Sequence, residues 1–348
     1  MEFTLLEQLV ETPGVSGREE KVRDLVAKQF TDIGAAITTD AMGNLIGHLP
    51  GKGPRVALIA HMDEVGFLVS KIEKNGFIRV MPVGGIDPRV VCAQKVMVHG
   101  RCELPGIVGS VPPHLQKKNN GKTGKEALPI EESFVDLGLP ADSVKQSVAV
   151  GDPVTFATTT WQNDYAIFAK ALDDRVGLFT MLTAVRQAKK IDCDLHLIAS
   201  TQEEYGLRGA GPAIFGVQPQ IALALEGTVS SDTPGLKLPP NTLSTEQGKG
   251  PEIRLTDRGM ISDRALADFI VGLAQKNGIA HQVIVKNTGA TDATAGQISG
   301  PGVKVGTLSV PVRYIHAPVS NALKSDIVAT VDLVASFLEN STGILNTP

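Results

Sequence analysis

Six residues scattered along the chain, His61, Asp173, Glu203, Glu204, Glu226 and His316, carry the side chains of metal ligands and proton carriers, and nearly all sit where a strand-like run gives out. Imidazoles and carboxylates in this number suit two bridged divalent cations better than one. Two such ions about 3.5–4 Å apart share a carboxylate and a water, acidify that water and polarise a carbonyl oxygen at the same time. The expected division gives one ion His61 and Glu204 and the other Glu226 and His316, with Asp173 bridging through its two oxygens. Each ion then keeps open coordination for water and substrate. Glu203 is next to a ligand but points elsewhere in a strand or turn, so it is placed to act as general base toward the bridging water. Asp63 shares the face of His61 in an extended segment and can accept the ring's other N–H, which fixes the tautomer.

Elements that position these residues are legible. The run Pro54 to Ala60 reads as a buried strand ending in His61, Leu195 to Ser200 as one leading to Glu203-Glu204, and Ile221 to Leu225 as one ending in Glu226. In open α/β sheets the loops beyond the carboxyl ends of the strands form the functional crevice, so residues far apart in sequence converge there. Each residue alone has a plainer use. A strand-end histidine is more often structural, a Glu-Glu pair is usually solvated surface, and Asp173-Asp174 also suits the first turn of a helix, where acids meet its dipole. The combination carries the argument.

Around these strands, Ser16-Gly17-Arg18-Glu19 fits a capping box and predicts a helix from about Gly17 to Phe30. Helical spacing recurs over Asp174 to Lys190, Ser262 to Asn277 and Ser325 to Leu338, with Asn277-Gly278 as a stop signal. Further strands are expected near Glu252, Gln282 and Val303. Between Val69 and Asn163 the texture changes to short β-branched runs punctuated by Gly and Pro. The expected organisation is an α/β domain over 1–68 and 163–348, a mixed sheet sandwiched by helices, with a small β-rich domain inserted at 69–162.

At 348 residues, two domains or one domain carrying an insert is the natural expectation. A net charge of -4 gives no basic field, so neither nucleic acid nor an anionic membrane is an expected partner. The cluster Lys117, Lys118, Lys122 and Lys125 reads as a solvated loop. No run reaches the roughly 18 uninterrupted apolar residues of a membrane span, and Met1 to Val10 lacks a signal-peptide pattern. Cys92, Cys102 and Cys193 are odd in number and lack C-x-x-C spacing, which argues against a disulfide framework or a thiolate zinc site. The expectation is a soluble, cytoplasmic protein.

Four segments carry a resemblance: Ala60-His61-Met62-Asp63-Glu64-Val65-Gly66, Lys170-Ala171-Leu172-Asp173-Asp174-Arg175, Gln202-Glu203-Glu204-Tyr205-Gly206-Leu207-Arg208-Gly209-Ala210 and Arg313-Tyr314-Ile315-His316-Ala317-Pro318-Val319. In order and spacing they resemble the motifs of TET-type dinuclear metal aminopeptidases, a family of glutamyl, leucyl, lysyl and deblocking enzymes with members labelled endoglucanase. The resemblance implies a zinc-peptidase-like fold, metal ligands at His61, Asp173, Glu204, Glu226 and His316, Glu203 as base and Asp63 behind His61. It implies zinc, cobalt or manganese as the ions, short peptides as substrates, and the insert as a dimerisation domain whose dimers build a tetrahedral dodecamer. Glu226 stands where many relatives carry Asp, and Thr288 to Ala293 departs from a Gly-Gly-Thr-Asp-Ala-like segment.

The expected reaction is removal of N-terminal residues by a hydroxide bridging two metals. Alternatives are a deacylase or other amide hydrolase of the same dinuclear type, a polysaccharide hydrolase and a non-catalytic peptide-binding assembly. Glycosidases need two facing carboxyls and no metal, and 4% aromatic residues offer few platforms for sugar rings. Arg208 and Arg258 are candidates for contacting an acidic substrate side chain.

Overall fold

The computed structural model describes residues 1–111, 129–238, 242 and 244–346. The lysine cluster of 117–125 and the segment 112–114 lie outside these.

Val56, Leu58 and Ala60 of the strand Arg55–His61 enter one hydrophobic cluster, while Ala57 and Ile59 enter another. A strand with both faces buried is an inner strand of a helix-covered sheet. The large sheet runs in the order Ala36–Thr39, Leu45–Leu49, Asp194–Ser200, Arg55–His61, Ile221–Val229, Lys304–Arg313, Ser320–Leu323, Ala166–Ala169, Trp161–Gln162, with Glu252–Thr256 and Gln282–Val285 branching from Lys304–Arg313. Its four central strands are mutually parallel, so their carboxyl ends share one edge. Helices Thr4–Glu11, Glu20–Asp32, Leu172–Gln187, Arg264–Lys276 and Lys324–Asn340 cover one face, and Ala210–Val217 and Asp292–Gln297 the other.

Helix Leu172–Gln187 is buried over most of its surface against the sheet and its neighbours. Gly177 permits this approach, since a Cβ there would lie 2.4 Å from Asp174 Oδ1 and 2.5 Å from the Leu225 carbonyl. Gly177→Ala must therefore push the helix off the Glu226 strand. We expect a loss of roughly 1–3 kcal/mol, typical of overpacking, read as a lower denaturant midpoint.

Lys324–Ile344 is long and apolar enough to cross a membrane by length and composition. Ile327, Val331, Val334, Phe337 and Leu338 are nevertheless taken up in the main core, which accounts for that composition.

The inserted β structure is a closed barrel of Gly66–Ile72, Ile78–Val83, Phe134–Asp136, Glu103–Gly109, Lys95–His99 and Pro153–Phe156, the last pairing back to the first at Phe67 and Val154. It has its own core around Phe67, Ile78, Val98 and Phe156. Its first strand starts ahead of the expected boundary at 69, and Trp161–Gln162, expected in the insert, pairs with Ile167 and Phe168 of the large sheet.

Candidate active site

The site assembles at the shared edge of the parallel strands. His61 is the last residue of its strand, Glu203 and Glu204 lie in the turn after Ser200, Asp173 precedes the regular part of its helix, and His316 follows Arg313. Glu226 differs from expectation. Its strand continues to Val229, paired to Ser309 on one side, while pairing to the His61 strand stops at Ala224 and Ile59. The carboxylate therefore leaves from mid-strand, beside the end of its shorter neighbour.

The predicted ligands, His61, Asp173, Glu204, Glu226 and His316, meet here with Glu203 and Asp63. Asp173 Oδ1 lies 3.3 Å from His61 Nε2 and its Oδ2 lies 3.6 Å from His316 Nε2. Glu204 Oε1 is 3.0 Å from His316 Nε2, while Glu203 Oε2 and Glu226 Oε2 are each 3.8 Å from His61 Nε2. The nearest partners thus exchange Glu204 and Glu226 relative to the division expected from sequence. Donor atoms of His61, Glu203 and Glu226, and of His61, Asp173 and Glu204, cluster within 4.8 Å.

Asp63 is the hub behind the ligands. Its backbone carbonyl accepts from His61 Nδ1 at 3.1 Å, so the ring turns Nε2 toward the cluster. Its carboxylate accepts the Glu203 and Glu204 amides at 3.0 and 3.1 Å and the Ser16 hydroxyl at 2.5 Å. Ser16 is therefore no helix cap. Glu19 accepts from the Gly17 and Gln202 amides, and the helix begins at Glu20 rather than Gly17.

Sequence reasoning gave Asp174 only a helix-dipole use and missed Asp292. Asp174 accepts from the His61 amide at 3.1 Å and the Gly177 amide at 3.0 Å, and it has a carboxylate oxygen within 4.8 Å of Asp173 and Glu226. Asp292 binds the Ser200 hydroxyl, and its amide donates to Glu226 at 3.4 Å. Only spacing within the Thr288 to Ala293 segment could have signalled it. Backbone strain also gathers here, with Ala171, Gln202, Tyr314 and His316 at φ 52, 55, 61 and 58. Such non-glycine conformations persist where surrounding structure over-determines them.

Electrostatically, this is too many acids for the protein's own cations. Burial, with repulsion from Glu226 and Glu204, holds Glu203 well above the usual carboxylate range. Burial, with Asp174 and Asp173 nearby, does the same to Glu226. Burial pushes His316 down, but Asp173 and Glu204 outweigh it and raise the ring to about 11. His61, depressed by burial, is likewise carried well above its ordinary value by Glu203, Asp173 and Asp63. Asp173 Oδ1 and Glu204 Oε1 are buried with only imidazole nitrogens facing them, at 3.3 and 3.0 Å. The donor set therefore fits divalent cations held by His61, Asp173, Glu204, Glu226 and His316.

A cavity of about 940 Å³ opens from the cluster. Its lining also includes Arg254, Lys286 and Arg258. Arg254 is held by Glu252, Asp257, Thr228 and Ser309, and Lys286 by Glu252 and Thr228. Arg258 is exposed and makes no ion pair among the described residues. Arg208 is not on this wall; its guanidinium lies over the Tyr205 ring.

A mixed α/β sheet whose parallel central strands bring imidazoles and crowded carboxylates to one edge has the donor set of a metal-dependent hydrolase. The sequence pattern of the M42 glutamyl aminopeptidases matches residues 43–333, and the chain belongs to that family, a metal-dependent aminopeptidase. It is 34% identical over 346 residues to a lysyl aminopeptidase of Pyrococcus furiosus, covering 97% of each. An aminopeptidase from the archaeon Desulfurococcus kamchatkensis superposes with a TM-score of 0.90 at 34% identity, over 97% of this chain and 94% of that one. The TET1 peptidase of Pyrococcus horikoshii, which can assemble into a tetrahedron or a large octahedral shell, superposes with a TM-score of 0.85 at 31% identity, over 96% and 98%.

Proposed function

We propose that the chain removes N-terminal residues from short peptides at this cluster, using two divalent cations with Glu203 as general base. The observation that carries the reading is Asp173, whose two oxygens face two different imidazoles. The distances favour one ion on His61, Asp173 and Glu226 and the other on Asp173, Glu204 and His316. When bound, such ions acidify a shared water and polarise the scissile carbonyl. Glu203, facing the cavity beside the ligands, takes the water's proton and passes it to the leaving amine. Asp63 fixes the His61 ring and holds the backbone of Glu203 and Glu204, so base and ligand keep their spacing. Mixed nitrogen and oxygen donors suit zinc, cobalt or manganese.

The cavity wall of Arg254, Arg258 and Lys286 favours substrates with an acidic first side chain. The barrel serves as the dimerisation module of a larger, dodecameric assembly. Met81, Ile107 and Val150 on it are exposed apolar side chains, and a similar chain assembles into closed shells. All three cysteines are free, which suits a reducing cytoplasm.

The test is hydrolysis of a panel of aminoacyl amides and short peptides by chelated protein, before and after adding back zinc, cobalt or manganese. We expect release of N-terminal residues only after metal addition, fastest for glutamyl and aspartyl substrates. Silence across the panel with two metals bound, or cleavage of acylated substrates instead, would transfer the assignment to a deacylase of the same dinuclear type.

A further inference from the structure

At the opposite end of the sheet, three more metal-type side chains come together. Asp194 opens the strand Asp194–Ser200, His196 follows two residues later on the same face, and the register sets His48 of Leu45–Leu49 directly across from His196. The two imidazoles stack with centroids 4.3 Å apart and planes 9° from parallel. His48 Nε2 lies 2.7 Å from Asp194 Oδ1, and His196 Nε2 lies 3.6 Å from Asp194 Oδ2. One donor atom from each residue falls within 4.8 Å of the other two.

Two observations set this cluster apart from ordinary packing. Both ring nitrogens of His196 are buried and have no hydrogen-bond partner, a state that costs free energy unless a ligand supplies the missing contact. Asp194 Oδ2 accepts from Arg55 Nε at 3.2 Å, and Arg55 Nη1 is itself held by the Val217 carbonyl at 3.1 Å. The carboxylate is thereby oriented with Oδ1 toward His48.

We propose that His48, Asp194 and His196 form a second cation site, specific for a borderline-soft divalent ion of the zinc class, bound through Nε2 of each imidazole and Oδ1 of Asp194. The ion takes the place of the proton between His48 Nε2 and Asp194 Oδ1; the ring carries its one proton on Nδ1 instead and ligates as neutral imidazole. His48, with 39% of its side chain exposed, has room to tilt out of the stack and aim its lone pair at the ion. Arg55 remains on Oδ2, and a water completes the four-coordinate shell usual for zinc. Bound there, the ion ties the edge hairpin Ala36–Leu49 to the strand whose other end delivers Glu203 and Glu204.

The experiment is equilibrium dialysis of the full chain against buffered free zinc, with zinc counted per chain, for wild type, His196→Ala and His48→Gln. His48→Gln changes only a half-exposed side chain and guards against a folding failure in His196→Ala. At low free zinc all three should bind alike. At higher free zinc both variants should bind about one equivalent less than wild type, and the additional zinc-dependent rise in Tm should vanish with it. The same comparison in a Glu204→Gln background separates this site from the strand-end cluster, since the difference must persist there. Equal zinc content in wild type and both variants throughout the titration would overturn the proposal.

Discussion

Glu203→Gln should keep its metal and lose about a hundred- to ten-thousandfold in kcat. The amide has the shape of the carboxylate but cannot take up the proton that the attacking water must give away. The position itself should not move, because the Glu203 amide is pinned to the Asp63 carboxylate, which also binds Glu204 and Ser16. The variant also discriminates between two roles. Glu203 stands as close to His61 as Glu226 does, and donor atoms of the three cluster together, so a ligand role is sterically open to it. If Glu203 were a ligand, the amide would lower metal content in step with turnover. Metal analysis beside steady-state kinetics reads both, and wild-type turnover in the variant would end the assignment.

Asp173→Asn should weaken binding of both cations together, by more than the roughly ten- to hundredfold that loss of a mere outer partner costs. Its two oxygens face His61 and His316, and no other side chain of the cluster faces both imidazoles at these distances. An asparagine offers one oxygen and one amino group, so whichever imidazole meets the amino group loses its shared ligand. Metal content after dialysis at a fixed free concentration is the direct measurement, with turnover as its companion. Retention of one cation at wild-type affinity would mean that Asp173 serves a single ion and that the pair is held some other way.

The chemistry was more legible in the sequence than its geometry. His61 and the Glu203-Glu204 pair stood out because a polar residue that interrupts an apolar run marks a strand end, and the structure puts them there. The same rule put Glu226 at a strand end, but the strand continues through Gly227 and Thr228 to Val229. A Cβ on Gly227 would sit 3.1 Å from the Asp173 Cα, so that glycine marks a close approach, not a stop. Ser16 and Glu19 have the spacing of a capping box, and tertiary partners claimed both side chains. Local pattern cannot distinguish a hydroxyl used by its own helix from one used by a carboxylate 47 residues away. The exchange of Glu204 and Glu226 between the imidazoles depends on which strand is longer, a length that periodicity does not give. The barrel's closure was equally hidden, because Pro and Gly punctuation marks turns without saying which strands pair across them.

That closure bears on how the chain finds its site. His61 and Asp173 are more than about a hundred residues apart, and joining the ends of a flexible loop grows more costly only with the logarithm of its length. Because Phe67 is paired with Val154, the folded barrel returns the chain to the large sheet close to where it left. The separation that His61 and Asp173 must bridge then shrinks to a few tens of residues, a saving of about 1 kcal/mol in closure entropy. The barrel thus behaves as a self-closing parenthesis in the chain: once it has formed, the two halves of the large sheet can meet almost as though they were consecutive.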